Sequence, residues 1–215
     1  MASRNYLVMS NDMTLTDKKE YRLNALAAGL ERCGLKSIGD INADVPGLAA
    51  DPVADKDARV TQIKNYIQTG AWPKTIDQRE LAPLTDLVVP TALDSWLTAA
   101  LAAVGTAYSC FQAVAAPQLI VGKLMVCYGV SVHTPLLPVS RLIFRRGGVA
   151  GNIQAQFDME PMGIRLETDA FFSEPVVIDP NDVFAIQVLC RTATAVAAEV
   201  HIHNFLFEGS GQVVA

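Results

Sequence analysis

Between Pro117 and Gly209 the chain is a succession of short apolar segments, several alternating with polar residues, separated by Gly, Pro, Asn and Asp. This rhythm constrains the fold more than any other feature. Residues two apart on an extended chain share a face, so alternation describes strands that are wet on one side. The frequent breakers leave no room for the crossover helices that parallel strands require. Ile153 to Met159 is the cleanest case, with Ile153, Ala155, Phe157 and Met159 on one face and Gln154, Gln156, Asp158 and Glu160 on the other. Val183 to Arg191 repeats it, with Phe184, Ile186, Val188 and Cys190 expected inward. Val139–Arg146, Ile164–Glu167 after a turn at Pro161-Met162-Gly163, Phe171–Ile178 and Ala197–Phe207 read as further strands, and Gln118–Val132 as a strand buried on both faces. Gly147-Gly148 reads as a turn, as does Asp179-Pro180-Asn181-Asp182, where Pro presets a turn dihedral and Asp and Asn can bond the backbone. About eight strands at this spacing predict a mainly β fold, an antiparallel β-sandwich or jelly-roll-like domain.

Upstream the texture changes. Residues 1–80 carry 11 Lys/Arg and 11 Asp/Glu, whereas residues 81–215 carry 6 and 11, so the net charge of −5 resides in the second part. The expected division is an N-terminal region of short helices and extended arm over 1–80 and a β-sandwich domain over 81–215. Asp17 to Cys33 has helical periodicity in Leu23, Leu26, Ala27 and Leu30, with Asp17 and Glu20 at capping-box spacing, Thr16 as an alternative cap, and Gly34 at the C-cap. A second helix is expected over about 56–68. The alanines of Thr91–Val104, around Trp96, Leu97 and Leu101, favour a helix there, followed by a strand near Thr106.

Composition narrows the function. An acidic body without a basic tail argues against a direct nucleic-acid contact, because phosphate binding needs clustered Lys and Arg. Hydrophobic residues make up 51% of the chain and charged ones only 18%, so much apolar surface must be hidden, and self-association is one way to hide it. Ser95–Gly122 carries no charge over a length that could span a bilayer, but its scattered Thr, Ser, Gln and Pro favour a buried or interface-facing segment. Met1–Ser10 lacks the apolar run of a secretory leader. Cys33, Cys110, Cys127 and Cys190 are widely spaced and read as buried free thiols.

Chemistry-bearing groups occur only as fragments of known constellations. Ser210 in Gly209-Ser210-Gly211 lacks a nucleophile elbow, and Gly147, Gly148 and Gly151 lack the lysine and helix of a phosphate loop. Asp158, Glu160, Glu167, Asp169 and Glu174 read as solvated carboxylates rather than a hydrolytic pair, and Arg141, Arg145 and Arg146 as a basic group facing an acidic neighbour across a subunit contact. The sharpest candidate is His201-x-His203 with Glu208: two imidazoles on one strand face with a carboxylate nearby could hold a metal. That spacing resembles part of the first cupin motif, whose leading glycine would fall at Ala195, and no third His follows. The expected assignment is no catalytic residue, no cofactor and no metal.

The stretch Phe171-Phe172-Ser173-Glu174-Pro175-Val176-Val177-Ile178-Asp179-Pro180-Asn181-Asp182, followed by alternating strands, resembles β-sandwich structural proteins of virions, in particular phage capsid cement or decoration proteins. The resemblance covers the last 100 residues or so and is one of architecture. It implies a non-enzymatic virion component, assembled in the host cytoplasm, acting as a symmetric oligomer such as a trimer and partnered by a major capsid or other virion protein, without nucleic acid or membrane. The alternatives are a cupin-like metal-binding jelly roll using His201, His203 and Glu208, and a carbohydrate- or receptor-binding appendage, for which the 7% aromatic content is low.

Overall fold

The computed structural model describes residues 5–34, 76–88, 96–111, 117–120, 123–133, 138–179 and 182–209. The helix expected over 56–68 and Ser210 lie outside them, as do the side chains of Leu30, Cys33 and Glu208.

Ten strands among the described residues form two antiparallel sheets. The first runs β1 (Leu7–Met9), β8 (Asp169–Ile178), β5 (Leu124–Val132) and β10 (Ala197–Gly209); the free edge of β10 is shared by β2 (Ile76–Arg79) near its end and β3 (Leu97–Ala100) near its start. The second runs β4 (Ala107–Ser109), β9 (Phe184–Cys190), β6 (Val139–Arg146) and β7 (Asn152–Asp158). Within β3 to β10 the pairing is nested: β6 with β7, β5 with β8, β4 with β9, β3 with β10. This is one long hairpin rolled over on itself, the connectivity of a jelly roll.

The core lies between the sheets. Phe144, Phe157 and Phe172 bridge them, the last two stacked with ring centroids 4.2 Å apart. Phe184, Ile186, Val188 and Cys190 are all buried, as the alternation of β9 requires. In β7 and the residue after it, Ala155, Phe157 and Met159 are buried but Ile153 is exposed, because the register against β6 shifts between Phe144 and Arg145. Gly147 and Gly148 take φ of 87° and 83° in the β6–β7 turn, a region that favours glycine. Asp182 N–H donates to Asp179 O at 3.2 Å, closing the turn expected there. Cys110, Cys127 and Cys190 are buried free thiols.

Every residue of β5 is buried, and the reason is a third layer. Helix α1 (Leu15–Gly34) lies across the outer face of the first sheet, placing Ala25, Leu26 and Ala27 against Leu124, Val126, Tyr128, Phe205 and Phe207. Its cap is Thr14, neither Thr16 nor Asp17: Asp17 N–H donates to Thr14 Oγ1 while Thr14 N–H donates to Asp17 Oδ2, a reciprocal capping box. Gly29 lets the helix approach, since a Cβ there would fall 2.1 Å from the Phe207 ring. Tyr21 packs on Phe171 and Arg32 pairs with Asp179, so the helix runs from one end of the sandwich to the other.

Two expectations reverse. Ile164–Glu167, read as a short strand, falls in and just after the helical turn Glu160–Arg165, which Pro161 starts and left-handed Leu166 caps. Residues 97–100, read as helical from their alanines, form β3. Helix propensity is worth only tenths of a kcal/mol per residue, and edge pairing to β10 outweighs it. Buried Thr98 secures that edge: its Oγ1 accepts from Ala198 N–H at 2.9 Å where the β3–β10 register breaks. Two short helices complete the fold, α2 (Pro83–Asp86) and α3 (Glu160–Arg165). Among the described residues no helix is long and apolar enough to cross a membrane.

Candidate functional site

His201 and His203 fall on the outer face of the first sheet, as the period-two spacing requires, with ring centroids 5.6 Å apart. Each is already engaged. His201 Nε2 lies 2.7 Å from Glu80 Oε1, and its ring meets the edge of Trp96. His203 stacks against Tyr128 and Phe171, and its Nε2 lies 2.6 Å from Ser131 Oγ.

Ser131, His203 and Asp169 are the types of a catalytic triad, but their order is wrong for one. Ser131 Oγ–H donates to Asp169 Oδ1, and a hydroxyl has one proton to give. In this arrangement His203 Nε2 donates to Ser131 Oγ rather than accepting from it, the reverse of the bond a serine's general base makes. The arrangement is a polar clasp between β5, β8 and β10. Asp169 is held below its ordinary value: burial pushes it up, but the bonds from Ser131 and Thr168 outweigh that. His203 is also lowered, first by burial and then by the neighbouring His201, against the opposing pull of Asp169.

A metal shared by the two imidazoles through their Nε2 atoms would displace both the Glu80 and Ser131 contacts. Among the described residues no group of three or more His, Cys, Asp or Glu is placed to hold an ion. The carboxylates that cluster in sequence disperse in space. Asp158 Oδ1 accepts from Glu160 N–H at the start of α3, Glu167 is buried and accepts from Asn11 N–H, and Asp169 belongs to the clasp. Of the three arginines, Arg146 pairs with Asp182 within the chain, Arg145 donates to Gln187 and to Gly151 O, and Arg141 is exposed.

A more deeply buried ionic cluster lies at the other end of the sandwich. Asp86 is 0% exposed and Lys123 2%. Asp86 Oδ1 accepts from Lys123 Nζ at 2.7 Å and from Arg79 Nη2 at 2.5 Å; Oδ2 accepts from Arg79 Nη1 at 2.6 Å and from Ala82 N–H at 2.7 Å. Burial alone would raise the carboxyl pKa, yet the bonds from Arg79, Lys123 and the Ala82 N–H hold it below the usual range. The sequence carries one hint of this cluster. Lys123 is the only Lys, Arg, Asp or Glu between Asp94 and Arg141, and a charge inside such an apolar run needs a partner once buried. Nothing local points to Asp86 as that partner.

Fold and site together define a jelly-roll domain with a helical outer layer, whose buried ionisable groups clamp strands and connections to one another. Comparison with protein-family models, with curated proteins and with solved structures finds no match.

Proposed function

We infer that the chain is a non-enzymatic structural subunit of a virion, a capsid cement or decoration protein or another shell-associated component, acting as a symmetric oligomer such as a trimer. One observation carries this reading. The polar groups on the outer sheet face are engaged with one another, whereas the most exposed large apolar side chains stand on the connections at the sandwich end. A subunit that works by contact needs that distribution: a rigid interior and an adhesive exterior. A jelly roll suits it, because its core is closed by two sheets while its connections vary freely at either end. The acidic balance of residues 81–215 fits contact with protein rather than nucleic acid.

The test is to measure the mass of the purified full chain in solution by light scattering and to ask whether it co-sediments with virus particles. A discrete oligomer that binds particles is the expected result; a monomer at every concentration with no affinity for particles overturns the reading.

A further inference from the structure

Antiparallel order fixes which connections share an end. The β3–β4, β7–β8 and β9–β10 connections emerge at the same end of the sandwich, and the Ser10–Asp12 turn is held there too, through Asp12 with Arg165 and Asn11 N–H with Glu167. The five most exposed large apolar side chains of the described residues all lie at this end: Leu15, Val104, Ile164, Leu166 and Val196, from 62% exposed at Val196 to 87% at Leu166.

They form two patches. Val104 and Val196 sit on the β3–β4 and β9–β10 connections, which are tied together by Leu101 N–H to Val196 O and Gly105 N–H to Cys190 O. Leu15, Ile164 and Leu166 sit on the opposite flank, around α3 and the start of α1. Strands β4 and β7 are the two edges of the second sheet, so the flanks are separated by three strand spacings, about 14 Å. Their charges are complementary. Exposed Arg191 begins the connection that carries Val196, and exposed Glu160 lies one helical turn from Ile164 on α3; neither makes an ion pair among the described residues.

We propose that the two flanks are the halves of one contact between copies of this chain: the Val104/Val196/Arg191 flank of one copy docks on the Leu15/Ile164/Leu166/Glu160 flank of the next. The five side chains expose roughly 600 Å², about two thirds of the nonpolar area of a standard interface of about 1,600 Å². Because the halves differ and lie on opposite flanks, the contact is head-to-tail, and the symmetric oligomer of the proposed function requires that repeating it close a ring rather than run on as a filament. The proposal rests on the structural-subunit reading and gives its self-association a geometry.

A mixing experiment tests it on the full chain. Val196→Asp disables one flank and Leu166→Asp the other, at exposed positions where thermal unfolding should show each variant folded. The expected result by sedimentation is that wild type forms an oligomer, each variant alone is monomeric, and an equal mixture forms a heterodimer and stops there. Separately, Arg191→Glu and Glu160→Arg should each weaken self-association about tenfold, and the combined swap should restore it. The swap carries the test if an aspartate variant fails to fold. Variants that assemble like wild type, a mixture that stays monomeric, or a swap that restores nothing would overturn this contact while an oligomeric wild type leaves the subunit reading standing. A wild type that never associates overturns the contact too, and the subunit reading falls only if particle binding is also absent.

Discussion

Replacing Asp86 with Leu isolates what the buried ionic cluster contributes. The substitution removes the acceptor of four hydrogen bonds and leaves Lys123, 2% exposed, without the carboxylate 2.7 Å away. Breaking a buried pair from one side costs about 3–5 kcal/mol, because the remaining charge stays desolvated. Arg79 is 38% exposed at its side chain, so solvent recovers part of its interaction and most of the loss falls on Lys123. A domain of this size loses about 2–4 °C of Tm per kcal/mol, so a drop on the order of 10 °C is expected in thermal unfolding followed by circular dichroism. Adding Lys123→Met to Asp86→Leu removes the buried ammonium that has lost its carboxylate and should recover part of that drop. If the double variant is no more stable than Asp86→Leu alone, the reasoning is refuted and the loss comes from packing. The pH dependence has a definite sign. Asp86 has a folded pKa below its ordinary 3.8, so its contribution is complete above that value and is lost as pH falls through the folded one. Asp86→Leu should lose that part of the acid transition.

Three further outcomes are expected. Leu166 has φ of 55° in the left-handed region, so Leu166→Gly should raise the stability of dilute, unassociated protein by up to about 1 kcal/mol, read from urea unfolding, while weakening self-association. Gly29→Ala improves helix propensity but drives a Cβ into Phe207, so a net loss of about 1–3 kcal/mol is expected in the same assay; unchanged or higher stability would show that α1 is not seated as described. His203 is held below the ordinary 6.5, so the native state favours the neutral ring and stability declines as pH falls from about 6.5 through the folded value; His203→Gln should flatten that decline in a series of melts.

What the sequence revealed depended on range. Strand β6, the inward set of β9 and the Gly147-Gly148 turn were legible because period and turn chemistry are local properties. Ile153 broke the pattern through a bulge in its own strand, where Gln154 has no partner on β6, and the alanines of β3 yielded to a partner about a hundred residues away. The doubly buried character of β5 was readable, but its cause, α1 lying across it, was not, since amphipathicity says that a face is covered and not by what. The same holds at the candidate site. Shared orientation of His201 and His203 followed from spacing, whereas the partners that occupy them, Glu80, Ser131 and Asp169, come from three other segments.

The nested pairing also sets an order of events in time. Among the described strands only β6 and β7 pair across a short turn, and each further pair encloses the one before, so loop-closure entropy falls stepwise if structure grows outward from Gly147-Gly148. Helix α1 and β1 come early in the chain, yet the surface they settle on is built by β5, β8 and β10. A nascent chain therefore has no place to dock its first helix until about residue 207 is available, and pulse-labelled hydrogen exchange should find Leu142–Phe157 pairing protected before the helix. The flank carrying Leu15 and Leu166 is completed last, so under the proposed head-to-tail contact one of its two halves would form only once the fold is finished.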